Sequence, residues 1–264
     1  MSFDLCLVKT AGKPYFIENI STNIYSIEEL CFYLYHNIFL IDESIVNEYL
    51  CDWIRDELGL KQLYKTLYMH LEKGDGIASF VLPIFREIGY LTTQMQRAFA
   101  EELGRVEAQP EDVRQKLKGD YLVSSGMYAA AVHEYEHLLK SSSPSNQGAV
   151  FYAGVWNNLG SAYARQFRFR EAGDCYLEAW KLSSTKEMLR RYVSVLPLFL
   201  SQQEYEQRLS QIGADKDLIG KIQQYNAQIA GKAQEVAEEK EKTSGDIIQQ
   251  LSDIKTAYRR SVKR

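Results

Sequence analysis

His133-Glu134-Tyr135-Glu136-His137 reads H-E-x-x-H, a pattern with an obvious chemical use. Side chains four apart share one face of a helix, so the two imidazoles could bind Zn²⁺ while Glu134 activates a water. Other groupings offer less. Cys31 with His36, or Cys51 with Asp52, could be read as a nucleophile and its partner. Their aromatic surroundings instead favour cysteine as a small buried hydrophobe. His36 and His70 are single histidines among aromatic residues and suit packing better than ligation. The chain contains neither a G-x-x-x-x-G-K-[ST] phosphate loop nor a G-x-G-x-x-G fingerprint, which removes the two simplest nucleotide readings.

The bulk composition narrows the classes further. At 264 residues, 45% hydrophobic and 25% charged, the chain has the makeup of a globular protein with a sizeable core. A net charge of −4 gives no general drive towards nucleic acid or an anionic membrane. Cys6, Cys31, Cys51 and Cys175 form no C-x-x-C pair, so reduced thiols in a cytoplasmic setting are expected. No signal-peptide pattern opens the sequence, and no apolar run is long enough for a membrane span. Five prolines suit a chain built from long helices.

The elements that would position these residues are mostly helical. Phe3 to Val8 and Tyr15 to Ile20, separated by a turn containing Gly12, are expected to form a small β-hairpin. Ser26 followed by Glu29 is an S-x-x-E helix start, with Leu30, Tyr33, Leu34 and Asn37 marking the face of that helix. Asp42 is expected to cap a second helix carrying Ile45, Tyr49 and Ile54. Leu60, Leu63, Leu67 and Leu71 mark a third after Gly59, and Gly74-Asp75-Gly76 a turn. Further helices are expected over about 77–88 and 91–103, and Pro110 opens another. From about residue 215 the apolar stripe Leu218, Ile222, Tyr225, Ile229 predicts a long helix. It continues through a Glu/Lys-rich middle and a weak point at Ser244-Gly245 to Ile247, Leu251, Ile254 and Tyr258. The chain ends on Arg259, Arg260, Lys263 and Arg264, four charges read as a solvated terminus.

Trp156-Asn157-Asn158-Leu159-Gly160-Ser161-Ala162-Tyr163, followed by Phe169, Ala172, Tyr176 and Ala179, resembles the tetratricopeptide repeat (TPR) signature. In that reading Trp156, Leu159 and Tyr163 form a buried ridge, and Gly160 and Ala172 are small where two helices cross. Tyr176 and Ala179 belong to the second helix. Phe167 stands where the family usually turns on glycine, and Ser184 where it usually closes on proline. An upstream copy places Gly119, Gly126, Tyr128, Ala131, Tyr135 and Leu138 at the corresponding positions. Gln115 and Lys118 replace its Trp and Leu. Gly119 and Gly160 are 41 residues apart, against about 34 in the family, with the polar loop Ser141 to Asn146 as the excess. A degenerate third copy is traced from Tyr192 through Leu196, Phe199 and Tyr205 to Ile212, with Arg208 where a small residue belongs.

The resemblance implies an all-α, TPR-like helical-hairpin solenoid with a small N-terminal β-hairpin and a long C-terminal helix. Residues 1–105 are expected to form the hairpin and a helical module, 106–213 the repeats, and 214–264 the C-terminal helix. It further implies a concave groove for a peptide or partner helix. Groove positions correspond to Asn157, Asn158, Ser161 and Arg165, and upstream to Lys116, Asp120 and Ser124. Asn158 could clamp a ligand backbone and Arg165 a carboxylate, or these side chains are simply solvated.

Placing H-E-x-x-H on the second helix of a repeat turns Ala131, Tyr135 and Leu138 inward and His133 and His137 outward. The pattern resembles the zinc-metalloprotease signature, but Glu136 puts a charge just before the second histidine. Leu138-Leu139-Lys140 also follows in place of the glycine-and-histidine extension. Adventitious surface metal is then favoured over catalysis, and no cofactor is expected. The expected function is a non-catalytic scaffold or adaptor. The rivals are a peptide-responsive regulator and an H-E-x-x-H zinc hydrolase. The C-terminal stripe is expected to fold back as a cap or to pair with a second copy as a homodimer.

Overall fold

Ser26 starts the helical part of the chain as its S-x-x-E context predicts. Its side chain accepts the amide of Glu29, while the Glu29 carboxylate takes the amide of Tyr25, one residue earlier than a standard capping box. The computed structural model describes residues 9–140, 147–213 and 215–262, with the backbone alone at 218, 239, 241–246, 248, 253 and 256–262. The expected strand Phe3 to Val8 and the loop Ser141 to Asn146 lie outside these.

The chain clusters into two compact units, Met1–Cys175 and Tyr176–Arg264. The first opens with β1 (Tyr15–Ile17) and β2 (Thr22–Ile24), antiparallel with Tyr15 opposite Ile24, Phe16 opposite Asn23 and Ile17 opposite Thr22. The strand expected to run on to Ile20 stops at Ile17. A 3₁₀ turn over Glu18–Ile20 and a left-handed Ser21 (φ 48°) reverse the chain there. Within that turn Asn19 donates to the Leu40 carbonyl at 3.1 Å, which draws the backbone away from the strand line.

Five helices follow: α1 (Ile27–His36), α2 (Glu48–Asp56), α3 (Lys61–Lys73), α4 (Ile77–Glu87) and α5 (Thr93–Glu107). They bury one apolar cluster together with Tyr15, Ile17 and Ile24, including Ile27, Leu30, Leu34, Leu50, Ile54, Leu67, Phe80, Ile84, Phe85 and Leu103. Asp42 does not cap α2. It caps a 3₁₀ turn over Glu43–Ile45, and Asn47 caps α2 by accepting the amide of Leu50 at 2.7 Å. Both are good capping residues, so local sequence alone did not choose between them. Gly59 and Gly74 take positive φ, ending α2 and α3 where the sequence predicted.

Then come α6 (Glu111–Ser124), α7 (Tyr128–Lys140), α8 (Gly148–Arg165) and α9 (Phe169–Ser183). α7 packs between α6 and α8, which also touch one another. α7 buries Ala131, Tyr135 and Leu138, and α8 buries Leu159, Gly160 and Tyr163. Phe167 takes a left-handed conformation (φ 60°), adopting without glycine the backbone that the turn before α9 requires.

In the second unit α10 (Lys186–Val195) buries Tyr192 and Val193, and α11 (Gln202–Ile212) starts on a full capping box of Ser201 and Glu204. α12 (Lys216–Val262) packs against α10 and buries Ile222, and it runs through Ser244-Gly245 without interruption. Tyr225, Ile229, Ile247, Leu251 and Ile254 on α12 are all exposed. No helix among the described residues is long and apolar enough to cross a membrane. The protein is therefore mostly helical, with one small two-stranded antiparallel sheet.

Candidate functional site

Gly119 decides how closely α6 and α7 approach. A Cβ at this position would lie 2.5 Å from Cε1 of Tyr135, so only glycine leaves room for the ring. The fully buried Tyr135 can then extend along α6 and donate its hydroxyl to Asp120 Oδ1 at 2.5 Å. Burial first, and the Asp120 carboxylate second, raise the phenol above its ordinary pKa.

Asp120 is the hub of a network joining three helices. Lys116 Nζ lies 2.5 Å from its Oδ2, one turn away on α6. Asn158 on α8 donates to Oδ1 at 2.7 Å, and Asn157 donates to Asn158 Oδ1 at 3.0 Å. Asn157 Oδ1 is buried and accepts no hydrogen bond. Ser161 Oγ donates to the Asn157 carbonyl at 2.9 Å. Lys116, Asp120, Asn157 and Asn158 thus come together, with Ser161 one turn further along α8. Ser124 and Arg165 do not join them. Ser124 bonds the Tyr121 carbonyl of its own helix, while Arg165 is exposed and makes no hydrogen bond or ion pair with the described residues. Asn158 uses its amide on Asp120 and its carbonyl on Asn157, so its first role here is to tie α8 to α6.

The remaining repeat positions distribute as follows. Ala131, Leu159, Gly160, Tyr163, Ala172, Tyr176 and Ala179 are buried. Trp156, expected on the buried ridge, is only half-buried and lines a cavity of about 340 Å³ with Leu159, Tyr163, Glu136, Glu171 and Cys175. Tyr163 donates to Glu136 and lies 4.5 Å beneath the Arg168 guanidinium. Gly126 turns the chain with φ 75°, and Tyr128 is half-buried at the start of α7.

H-E-x-x-H lies on α7 with Tyr135 inward and both histidines exposed. Gln115 Nε2 is 2.5 Å from His137 Nδ1. Glu134 faces Lys118, whose ammonium is 3.0 Å from both Glu134 Oε1 and Asp42 Oδ2. Burial pulls the Lys118 pKa down, but the two carboxylates outweigh it and hold the value above normal. Among the described residues no group of three or more potential ligands stands close enough to hold a metal ion. Cys31 and Cys51 are buried free thiols, raised by burial to about 12 and about 11 respectively. In both thiols burial opposes formation of the thiolate.

Two contributions were missed from the sequence. The Tyr135 hydroxyl acts in the polar network, whereas the sequence pattern marks only its ring, as a packing residue. Asp42 pairs with Lys118 across 76 residues of sequence, a link that no local pattern signals. The available clue was the polar pair Gln115 and Lys118 on a helix expected to pack, because polar groups on a packing face need partners. No family model, curated protein or solved structure matches the chain.

Proposed function

We propose that the protein is a non-catalytic interaction module that binds a peptide or partner helix along the face shared by α6 and α8, in the manner of a TPR-like solenoid. The observation that carries this reading is the Lys116–Asp120–Asn158–Asn157 network. It fixes two helices side by side by polar side chains. It also leaves the Asn157 side-chain Oδ1 without a donor and, among the described residues, Arg165 unpaired along the same helix. A buried acceptor without a donor costs free energy, and a rotation of the Asn157 amide towards the groove lets a bound backbone N–H supply the missing donor. An exposed, unpaired guanidinium is suited to a carboxylate. The placement of H-E-x-x-H also supports a non-catalytic role: Glu134 is engaged by Lys118, and the histidines face outward.

The test is capture of a discrete protein from source cells by the full chain. Asn157→Ala with Arg165→Ala is expected to weaken that capture about tenfold or more, with the fold retained by circular dichroism. Capture unchanged by the pair would overturn the groove assignment. Stoichiometric zinc after gentle purification, with peptidase activity lost in Glu134→Gln, would replace it with the hydrolase.

A further inference from the structure

A cavity of about 550 Å³ opens where the 3₁₀ turn after Asp42 meets α6 and α7. It lies on the side of α6 carrying Arg114 and Lys118, roughly half a turn round the helix from Lys116 and Asp120. It is therefore distinct from the face discussed above, and the inference does not rest on that reading. Its volume falls in the range of small-ligand sites.

Most of its polar lining is already matched. Lys118 stands between Asp42 and Glu134, and Gln115 is bonded to His137. Three charged groups are left over. Arg114 lines the cavity half-buried, its Nε is buried without an acceptor, and its guanidinium makes no ion pair among the described residues. Glu43 and Glu111 line the same cavity, are exposed, and pair with no cation among the described residues. Phe39, Ile41 and Val106 supply an apolar wall.

We infer that this cavity binds a small zwitterion with a free carboxylate and a free ammonium group, an amino acid or short peptide. The carboxylate meets the Arg114 guanidinium where it lines the cavity. The ammonium meets Glu43 and Glu111, and an apolar side chain lies on the wall. A bare anion suits the cavity less well, since it would meet Arg114 among four lining carboxylates: Asp42, Glu43, Glu111 and Glu134. A ligand with no net charge avoids that repulsion.

Isothermal titration calorimetry on the full chain with glycyl-phenylalanine tests the inference. Its C-terminal amide, its N-acetyl form and inorganic phosphate serve as comparison probes. The free dipeptide is expected to bind, and the amide to bind about tenfold more weakly or worse. Arg114→Gln is expected to cause the same loss and to make free acid and amide bind alike. That equality is a readout that general misfolding cannot produce. Glu43→Gln with Glu111→Gln is expected to remove the preference for the free amine over the acetylated form. Absence of dipeptide binding, affinity indifferent to Arg114→Gln, or phosphate binding as tightly as the dipeptide would each overturn the assignment.

Discussion

At the scale of single residues, the space around Gly119 gives the sharpest expectation. A methyl group there must displace the Tyr135 ring, which is fully buried and held at its hydroxyl by Asp120. Overpacking of this kind costs about 1–3 kcal/mol. Gly119→Ala is therefore expected to lower the urea midpoint by a corresponding amount. Gly154 on α8 is the control. Its added Cβ would approach only Lys116 Cε, at 3.8 Å, so Gly154→Ala is expected to be neutral or to gain up to about 1 kcal/mol from helix propensity. Equal losses at both positions would mean that the α6–α7 contact is not as close as described.

At the scale of elements, the Asp42–Lys118–Glu134 bridge fastens the 3₁₀ turn after Asp42 to α6 and α7. Burial raises the Asp42 carboxyl, but the Ser44 hydrogen bonds and the Lys118 charge outweigh it and leave the pKa below the ordinary value. A carboxylate whose folded pKa is depressed stabilises the fold above its unfolded pKa of about 4 and loses that contribution as pH falls through the folded value. Lys118 is shifted the other way. Its contribution is present below about pH 10 and disappears as pH rises through the raised folded pKa. Asp42→Asn is expected to cost roughly 1 kcal/mol at neutral pH, discounted because the Asp42 side chain is partly exposed. It is also expected to flatten the fall in stability below about pH 4. Denaturant melts across that window check both, and an unchanged acid slope would show that the bridge contributes little.

For the whole molecule, the informative feature is α12. Once past Ile222, its described apolar side chains Tyr225, Ile229, Ile247, Leu251 and Ile254 are exposed along roughly 40 Å of helix. A stripe of that length in water favours pairing with a like helix. Sedimentation over a range of concentrations is expected to show mass rising towards that of two chains. Ile247→Gln, Leu251→Gln and Ile254→Gln together should return it to one. A single-chain mass at every concentration would remove the expectation.

Much of the architecture was legible in the residues because helices announce themselves locally. The S-x-x-E at Ser26, the glycines at 59 and 74, and the apolar spacing of Leu63 and Leu67 all act within a turn or two of chain. The helix boundaries near them followed. The long helix after residue 215 was legible for the same reason. The β1–β2 register and the choice of Asn47 over Asp42 as the cap of α2 were not, because contacts from elsewhere in the chain decided them. The same holds for the candidate site. The resemblance to a known repeat put Lys116, Asp120, Asn157 and Asn158 on groove-facing positions. Only the packing of α7 between α6 and α8 brought Asn158 and the Tyr135 hydroxyl to the Asp120 carboxylate. Hydrophobic period and capping operate over a few residues and can be read from the chain, whereas a side chain's partner is fixed by which helices the core forces together.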